Sequence, residues 1–226
     1  MARRPIWLWP NLLSLDAPLV ALAWFWMFKQ TWRVGYHQAL LPWFLALLVW
    51  CIYVADRLID ERMAAMGSQR KTPRHEFHAS FRLPFTIALL AGGLLAVGLL
   101  LLQPPDLWKH GAFVGVLALG YFTMAFLDSG TGISYTKNVL AGLAFGYGTA
   151  VGVHFYRPDS NLGNFVGSPE VLCFGLLCIL NITAIDHWEQ ARRSEDPDVR
   201  DDYEMVLTLL GPTHEKLAAM RERWID

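Results

Sequence analysis

Charged residues are scarce in this chain: they make up 17% of it, against 54% hydrophobic residues. It also lacks a Gly-rich nucleotide loop, a nucleophile elbow and the Cys and His spacing of a zinc site. The three cysteines lie in apolar stretches, and their odd number without ligand spacing predicts reduced packing residues: Cys51, Cys173 and Cys178. A net charge of −1 says nothing about a nucleic-acid partner, and the basic residues follow the membrane topology, so none is expected. The missing motifs argue against nucleotide- and zinc-dependent functions.

Long apolar runs are what the chain has instead, together with ten Trp and thirteen Phe. The runs are Leu12–Phe28, Gln38–Ala55, Leu83–Gln103, Gly111–Leu127, Asn138–Tyr156 and Val171–Ile185. Each is close to the ~20 residues that a helix needs to cross ~30 Å of hydrocarbon. The sequence therefore predicts an all-α, polytopic transmembrane helix bundle with about six spans.

Basic residues are distributed unequally between the two sides of this predicted bundle. The side that holds the N-terminus receives most of them, whereas the opposite side receives Lys29, Arg33, Lys109 and Arg157. Because loops rich in Lys and Arg stay in the cytoplasm, both termini are predicted to be cytoplasmic. We expect an integral protein of a bacterial inner membrane, surrounded by membrane lipids.

Two carboxylates close the second apolar run. Asp56 and Asp60 are four residues apart on a helix, so their Cβ atoms are about 6 Å apart on one face. That arrangement is repulsive unless a proton or a cation lies between them. Mg²⁺ is held in this way by one or two carboxylates together with substrate phosphates. The alternative is that both acids only cap the helix and pair with Arg57 or Arg62.

A second acidic cluster lies at the end of the sixth run. Asp186 and Glu189 are three residues apart, and Asn181 precedes Glu189 by about two turns. All three are expected on one broad side of the helix. The alternation of spans brings this end to the same membrane side as the first cluster, so the two acidic patches are predicted to face each other.

Positive charges accompany the acids on that side. Lys71 and Arg74 follow the first cluster in its loop, and Lys137 opens the fifth run, where the positive end of a helix dipole favours phosphate. For Lys137 the alternative is an interfacial lysine that extends towards the headgroups. Together the acids and bases predict a metal-diphosphate site.

These segments resemble the UbiA superfamily of intramembrane prenyltransferases, helical bundles that bind an isoprenyl diphosphate through Mg²⁺. The stretch from Tyr53 to Asp60 is similar to the second half of the family's first Asp-rich motif. Residues 71–74, 137–148 and 181–189 resemble its basic loop, its Lys-led glycine-rich helix and its second Asp-rich motif. The likeness covers residues 1–195 as one transmembrane domain, followed by a polar cytoplasmic tail at 196–226.

The resemblance implies a prenyl group transferred from a prenyl diphosphate to an unidentified acceptor. It assigns the metal and catalytic roles to Asp56, Asp60, Asp186 and Glu189. It assigns contacts with substrate to Lys71, Arg74, Lys137, Asn181 and Tyr53. Loss of diphosphate generates allylic cation character, which the electron-rich face of Tyr53 or Tyr147 could stabilise.

The chain departs from the family pattern in three places. Ile52 and Tyr53 stand where the first motif begins with Asn-Asp, and Arg193 occupies the last acidic position of the second. Fewer carboxylates imply weaker metal affinity or a different number of ions. In the first run Asp16 is expected to be a helix N-cap rather than a ligand.

The chain also lacks the family's last helices, which leaves the wall of the bundle open. A second copy, a helper subunit or a truncated gene product would each account for the missing spans. The competing function is a non-catalytic membrane scaffold or lipid-binding protein that kept the bundle and lost the chemistry. The incomplete motifs favour that alternative.

Two further patterns have structural interpretations. Small residues at spacings that let helices approach closely predict helix packing in the fifth run: Gly142, Gly146, Gly148 and Gly152. His75 and His78 are three apart in a basic loop and are interpreted as surface residues. His154 and His187 fall near opposite ends of their spans, which argues against a facing pair of haem ligands between them.

The six-span topology predicts that Ser68 and Asp106 lie on opposite faces of the membrane. Single cysteines at these positions, in a chain whose three native cysteines are replaced by alanine, should react with a membrane-impermeant maleimide from opposite sides of inverted and right-side-out vesicles. Labelling of both from one side would contradict the topology and separate the two acidic patches.

Overall fold

A computed structural model describes residue 10 and the backbone of residues 13–66, 81–127 and 133–193. Within these ranges, the side chains of residues 60–66 and 189–193 lie outside the description. The loop with Lys71 and Arg74 and the tail at 196–226 also lie outside the described residues.

Helices are the only regular secondary structure in the described part of the chain. Its seven helices are α1 (Asp16–Thr31), α2 (Leu41–Met66), α3 (Arg82–Leu101), α4 (Leu107–Leu127), α5 (Tyr135–Phe155), the short α6 (Leu162–Val166) and α7 (Pro169–Arg193). The prediction of an all-α helix bundle is confirmed. Each predicted apolar run coincides with the greater part of one long helix.

Four helices are long and apolar enough to cross a membrane: Leu41–Ile59, Arg82–Leu101, Leu107–Leu127 and Pro169–Trp188. The other two long helices, α1 and α5, are not among these four candidate spans. α1 has 16 residues, about 24 Å at 1.5 Å per residue, which is less than ~30 Å of hydrocarbon. α5 has 21 residues but buries Asn138, Thr149 and His154 among glycines. Length and composition therefore support a membrane helix bundle with four candidate spans in the described residues.

α5 is the central helix, and it packs against α1, α4 and α7. Its glycines make the closest approaches in the bundle. A Cβ atom added at Gly142 would lie 2.7 Å from the backbone nitrogen of Ile179, and one at Gly146 would lie 2.9 Å from the Cα atom of Gly175. At Gly152 the nearest atom would be a methyl group of Leu41, at 2.8 Å. The prediction that these glycines serve helix packing is confirmed.

Aromatic side chains fill the space between α1, α5 and α7. Trp24 stacks on Phe174 with ring centroids 3.8 Å apart, and Phe28 stacks on Trp32 at 4.9 Å. Phe25 and Phe28 are fully buried. The outward faces of α3 and α4, in contrast, are rich in exposed leucine and valine, the composition that suits contact with lipid tails.

The helices alternate in direction, so the bundle has two chemically different ends. Asp16, Asp56, Asn138 and Asp186 lie at one end, which we call the acidic end. His110 and His154 lie at the other, the histidine end, where Trp32 also contacts His154. The connection between α1 and α2 reaches this second end, since Gln38 Nε2 donates to the Leu102 carbonyl at 3.2 Å.

The expectation that Asp16 caps α1 is wrong. α1 begins at Asp16 itself, Leu15 occupies the N-cap position, and no side chain makes a capping hydrogen bond there. The Asp16 carboxylate instead lies 3.9 Å from the Arg57 guanidinium of α2. This carboxylate therefore joins two helices at the acidic end.

The glycine contacts predict a sharp difference between two conservative substitutions. Gly142→Ala should destabilise the bundle by about 1–3 kcal/mol, because its methyl group would overlap the backbone of α7. Gly93→Ala in α3 meets no atom within 4 Å and should be neutral or stabilising by up to about 1 kcal/mol. Thermal unfolding of both proteins in the same detergent measures the difference, and equal melting temperatures would contradict the packing.

Candidate functional site

Asp56 lies in α2 at the acidic end, surrounded by groups from three other helices. Its carboxylate accepts a short hydrogen bond from the hydroxyl of Tyr121 in α4. The charges of Lys137, Arg57 and Asp186 are close enough to act on it. Asp56 therefore lies beside α5 and close to Asp186 of α7, as the alternation of spans predicts.

Asp186 is held against α5 by a buried amide. Asn138 Nδ2 donates to Asp186 Oδ2 at 2.8 Å, and Asn138 is only 1% exposed. An ionised carboxylate only accepts hydrogen bonds, so this contact fixes the orientation of the amide. The amide oxygen, Asn138 Oδ1, is buried and has no hydrogen-bond partner among the described residues. One amide oxygen, a hydrogen-bond acceptor and a possible metal ligand, thus remains unsatisfied next to a carboxylate.

Arg57 connects α2 to the start of α1. Its side chain is 12% exposed, its guanidinium is 3.9 Å from the Asp16 carboxylate, and it lies 4.7 Å above the ring of Tyr53. The alternative that Arg57 serves the acids of its own helix is therefore incomplete, because Asp16 shares it. A planar guanidinium suits both contacts, since it can bind a carboxylate and stack on a ring together.

A second polar contact links α5 to α7 one turn away from Asn138. The Tyr135 hydroxyl is 3.2 Å from Nε2 of His187, which is 4% exposed. Tyr135 is the first residue of α5, and His187 directly follows Asp186. The contact fixes the start of α5 against the end of the α7 span, so it also holds the Asn138–Asp186 pair in register.

The charges at this end balance among the described side chains. Three carboxylates, on Asp16, Asp56 and Asp186, stand against three cations, Arg57, Lys137 and Arg82, the first residue of α3. No group of three His, Cys, Asp or Glu side chains in the described part could hold a metal ion. The donors present are two carboxylates and the amide oxygen of Asn138, all hard oxygen ligands of the kind Mg²⁺ prefers.

Several predicted site residues are elsewhere or outside the description. The side chains of Asp60 and Glu189 belong to the parts of α2 and α7 that are not described, and Lys71 and Arg74 belong to the loop between α2 and α3. Asn181 is described and exposed. It precedes Asp186 by five residues, about 140° around the helix, so it is not on the side of α7 that contacts Asn138.

Tyr147, suggested as a second cation-stabilising ring, lies far from the acids. It is nine residues beyond Asn138, about 14 Å along α5. Its hydroxyl donates to the Val166 carbonyl at 2.5 Å, and its ring packs against Phe113 and Phe165. These contacts give Tyr147 a structural role in holding α6 to the bundle.

The sequence reasoning missed two contributors, Asn138 and Tyr121. Asn138 was treated only as the first residue of an apolar run, although an amide inside a membrane helix is costly unless it has a partner. Tyr121 has no comparable signal, because a tyrosine near the end of a span is ordinary at the lipid headgroups. Its contact with Asp56 follows from packing alone.

Comparisons with protein-family models, with curated proteins and with solved structures find no match for this chain.

The Asn138–Asp186 contact predicts measurable coupling between α5 and α7. In a double-mutant cycle of Asn138→Ala and Asp186→Ala, the coupling energy should be about 0.6–2 kcal/mol, the range for buried polar contacts between membrane helices. Pairing Asn138→Ala with Thr123→Ala, whose hydroxyl bonds within α4, should give additive effects. Additivity in both cycles would show that the contact carries no energy.

Proposed function

We propose that this chain is a UbiA-like membrane prenyltransferase that binds a prenyl diphosphate through Mg²⁺ and transfers the prenyl group to an acceptor. One observation carries the proposal: Asp56 and Asp186, 130 residues apart in sequence, lie at the same end of the bundle next to Lys137 and Asn138. Carboxylates at the ends of membrane helices indicate function by default, because their desolvation is costly.

The two carboxylates support a metal-dependent substrate rather than a free anion. A diphosphate is itself negative, so the carboxylates of Asp56 and Asp186 would repel it. When bound, Mg²⁺ would screen the carboxylates from the phosphates. The carboxylates of Asp56 and Asp186, with Asn138 Oδ1, would hold it, and Asp60 and Glu189 would add ligands from the next turns.

The chain's own cations have separate tasks in this proposal. Lys137, in the first turn of α5, would offset the charge of the departing diphosphate, aided by the positive end of the helix dipole. Lys71 and Arg74 would do the same from the loop after α2. Tyr53 already has the Arg57 guanidinium over its ring, so the ring is suited to face a developing carbocation once that cation moves aside.

The membrane arrangement completes the proposal. Six spans, including α1 and α5, would put the acidic end and both termini in the cytoplasm. α3 packs mainly against α2, whereas α4 packs mainly against α5, so the bundle has no broad α3–α4 interface. The prenyl tail would enter from lipid along that side, and a second copy or a helper subunit would cover the rest of this opening.

A non-catalytic scaffold or lipid-binding protein is the second candidate, and one observation favours it. Both described carboxylates of the proposed metal site already accept hydrogen bonds from protein donors, Asp56 from Tyr121 and Asp186 from Asn138. Carboxylates that are satisfied in this way can persist in a bundle that binds no metal.

Binding of a radiolabelled prenyl diphosphate to purified protein separates the two candidates. We expect binding that requires Mg²⁺ and that Asp60→Asn abolishes, because a ligand charge is lost, while stability holds or rises as repulsion from Asp56 is relieved. Glu189→Gln and Asp186→Asn should weaken binding at least about tenfold. The matched control is Asp159→Asn, an exposed acid paired with Arg157 near the histidine end, which should bind as wild type does.

The scaffold alternative predicts the opposite effect of Asp60→Asn. If Asp60→Asn destabilises the bundle and leaves binding unchanged, the acid is a structural partner of a nearby arginine. Binding that is equal with and without Mg²⁺ would also remove the enzyme proposal.

A further inference from the structure

Two buried histidines meet at the histidine end, far from the acids. His110 lies in the first turn of α4 and His154 in the last turn of α5. His154 follows Asn138 by 16 residues, about 24 Å along the helix axis. The ring centroids of the two histidines are 6.4 Å apart. The proposed prenyl-diphosphate site therefore makes no use of them.

Both imidazoles carry a buried nitrogen without a partner. His154 is fully buried and His110 is 8% exposed, and Nε2 of each has no hydrogen-bond partner among the described residues. Nδ1 is the nitrogen that faces a partner in both rings: His110 Nδ1 is 3.5 Å from the Asp106 carbonyl, and His154 Nδ1 is 3.4 Å from Ser160 Oγ. A carbonyl only accepts, so the contact of His110 requires the proton on Nδ1 and leaves a lone pair on Nε2.

That arrangement is the one seen in metal-ligating histidines. The ring nitrogen that does not bind the metal donates to a carbonyl or a polar oxygen, which fixes the tautomer and the ring orientation. Aromatic rings surround the pair and restrict its rotation. Phe165 lies 5.9 Å from the His110 ring and 5.0 Å from the His154 ring, and Trp32 contacts His154 edge-on at 5.4 Å.

An open cleft lies near His154, in the segment between α5 and α7. It has a volume of about 400 Å³, and Arg157, Asp159 and Glu170 are among its lining residues. The charges of all three act on His154. Arg157 is engaged by Asp159 through two hydrogen bonds, at 3.0 and 2.7 Å, so Glu170 leaves the cleft with a net negative charge among these groups. A cation is therefore favoured in this cleft.

We propose that His110 and His154 bind a late first-row transition-metal ion, Zn²⁺ or Cu²⁺, between their Nε2 atoms. Imidazole nitrogen suits these ions and does not suit Mg²⁺, which prefers oxygen. Metal–nitrogen bonds of about 2.0–2.1 Å separate two ligand nitrogens by at most about 4 Å, so the observed centroid distance of 6.4 Å is close to the largest that two imidazoles on one ion allow. No third His, Cys, Asp or Glu of the described part joins the pair, so water would complete the coordination.

Metal binding to the full chain, purified without a polyhistidine tag, tests the assignment. Equilibrium dialysis against Zn²⁺ should give about one tightly held ion per chain. His110→Gln and His154→Gln should each weaken binding at least about tenfold. The matched control is His75→Gln/His78→Gln, which removes the other histidine pair of the sequence and should leave tight binding unchanged.

Further measurements address glutamine variants that do not fold and a wild-type protein that binds no metal. If the glutamine variants do not fold, X-ray absorption of Zn²⁺ bound to the His75→Gln/His78→Gln protein should still show two imidazole ligands. Absence of tight Zn²⁺ and Cu²⁺ binding by wild type would overturn the proposal. Binding lost only in the control variant would also overturn it. Prenyl-diphosphate binding should be the same in all these variants, so the two proposals fail separately.

Discussion

The close contact of α5 with its neighbours is the constraint on which the rest of the bundle depends. Where Gly142 and Gly146 face α7, the two backbones approach so closely that a single methyl group has no room. In lipid there is little hydrophobic force between helices, so packing of this kind and polar contacts hold them together. α5 is therefore buried by other helices rather than by lipid, which explains how it tolerates asparagine, threonine and histidine in its interior.

Both candidate sites are built on this one helix. Asn138 and Lys137 lie in its first turn, beside the carboxylates of α2 and α7, and His154 lies in its last turn, beside α4. A rigid central helix fixes the distance between the two ends, which favours ligand geometry at each. The two ends also differ in ligand chemistry, because hard oxygen ligands lie at one end and imidazole nitrogens at the other.

The sequence was informative wherever the cost of burying polar groups restricts which residues can stand at a position. Long apolar runs predicted the helices, and carboxylates at their ends predicted Asp56 and Asp186 as neighbours, because alternating spans bring those ends together. Glycine spacing predicted the α5–α7 contact. The register around a helix was less predictable: Asn181 was grouped with Asp186, although five residues separate their faces by about 140°. The proximity of His110 and His154 has no signal in the sequence, since it depends on the contact between α4 and α5.

The attachment of α3 has a consequence for how the molecule unfolds. α3 packs mainly on α2, and its remaining surface consists mostly of apolar side chains. In lipid such side chains gain little free energy from contact with protein instead of lipid tails. Helices held by one neighbour separate at lower free energy than the whole bundle, as a cooperative unit. α3 is thus the segment whose amides would exchange first, and its departure would uncover Cys51, whose sulfur packs against the backbone at Gly92. Labelling of the Cys51 thiol would therefore report the separation of α3 from α2.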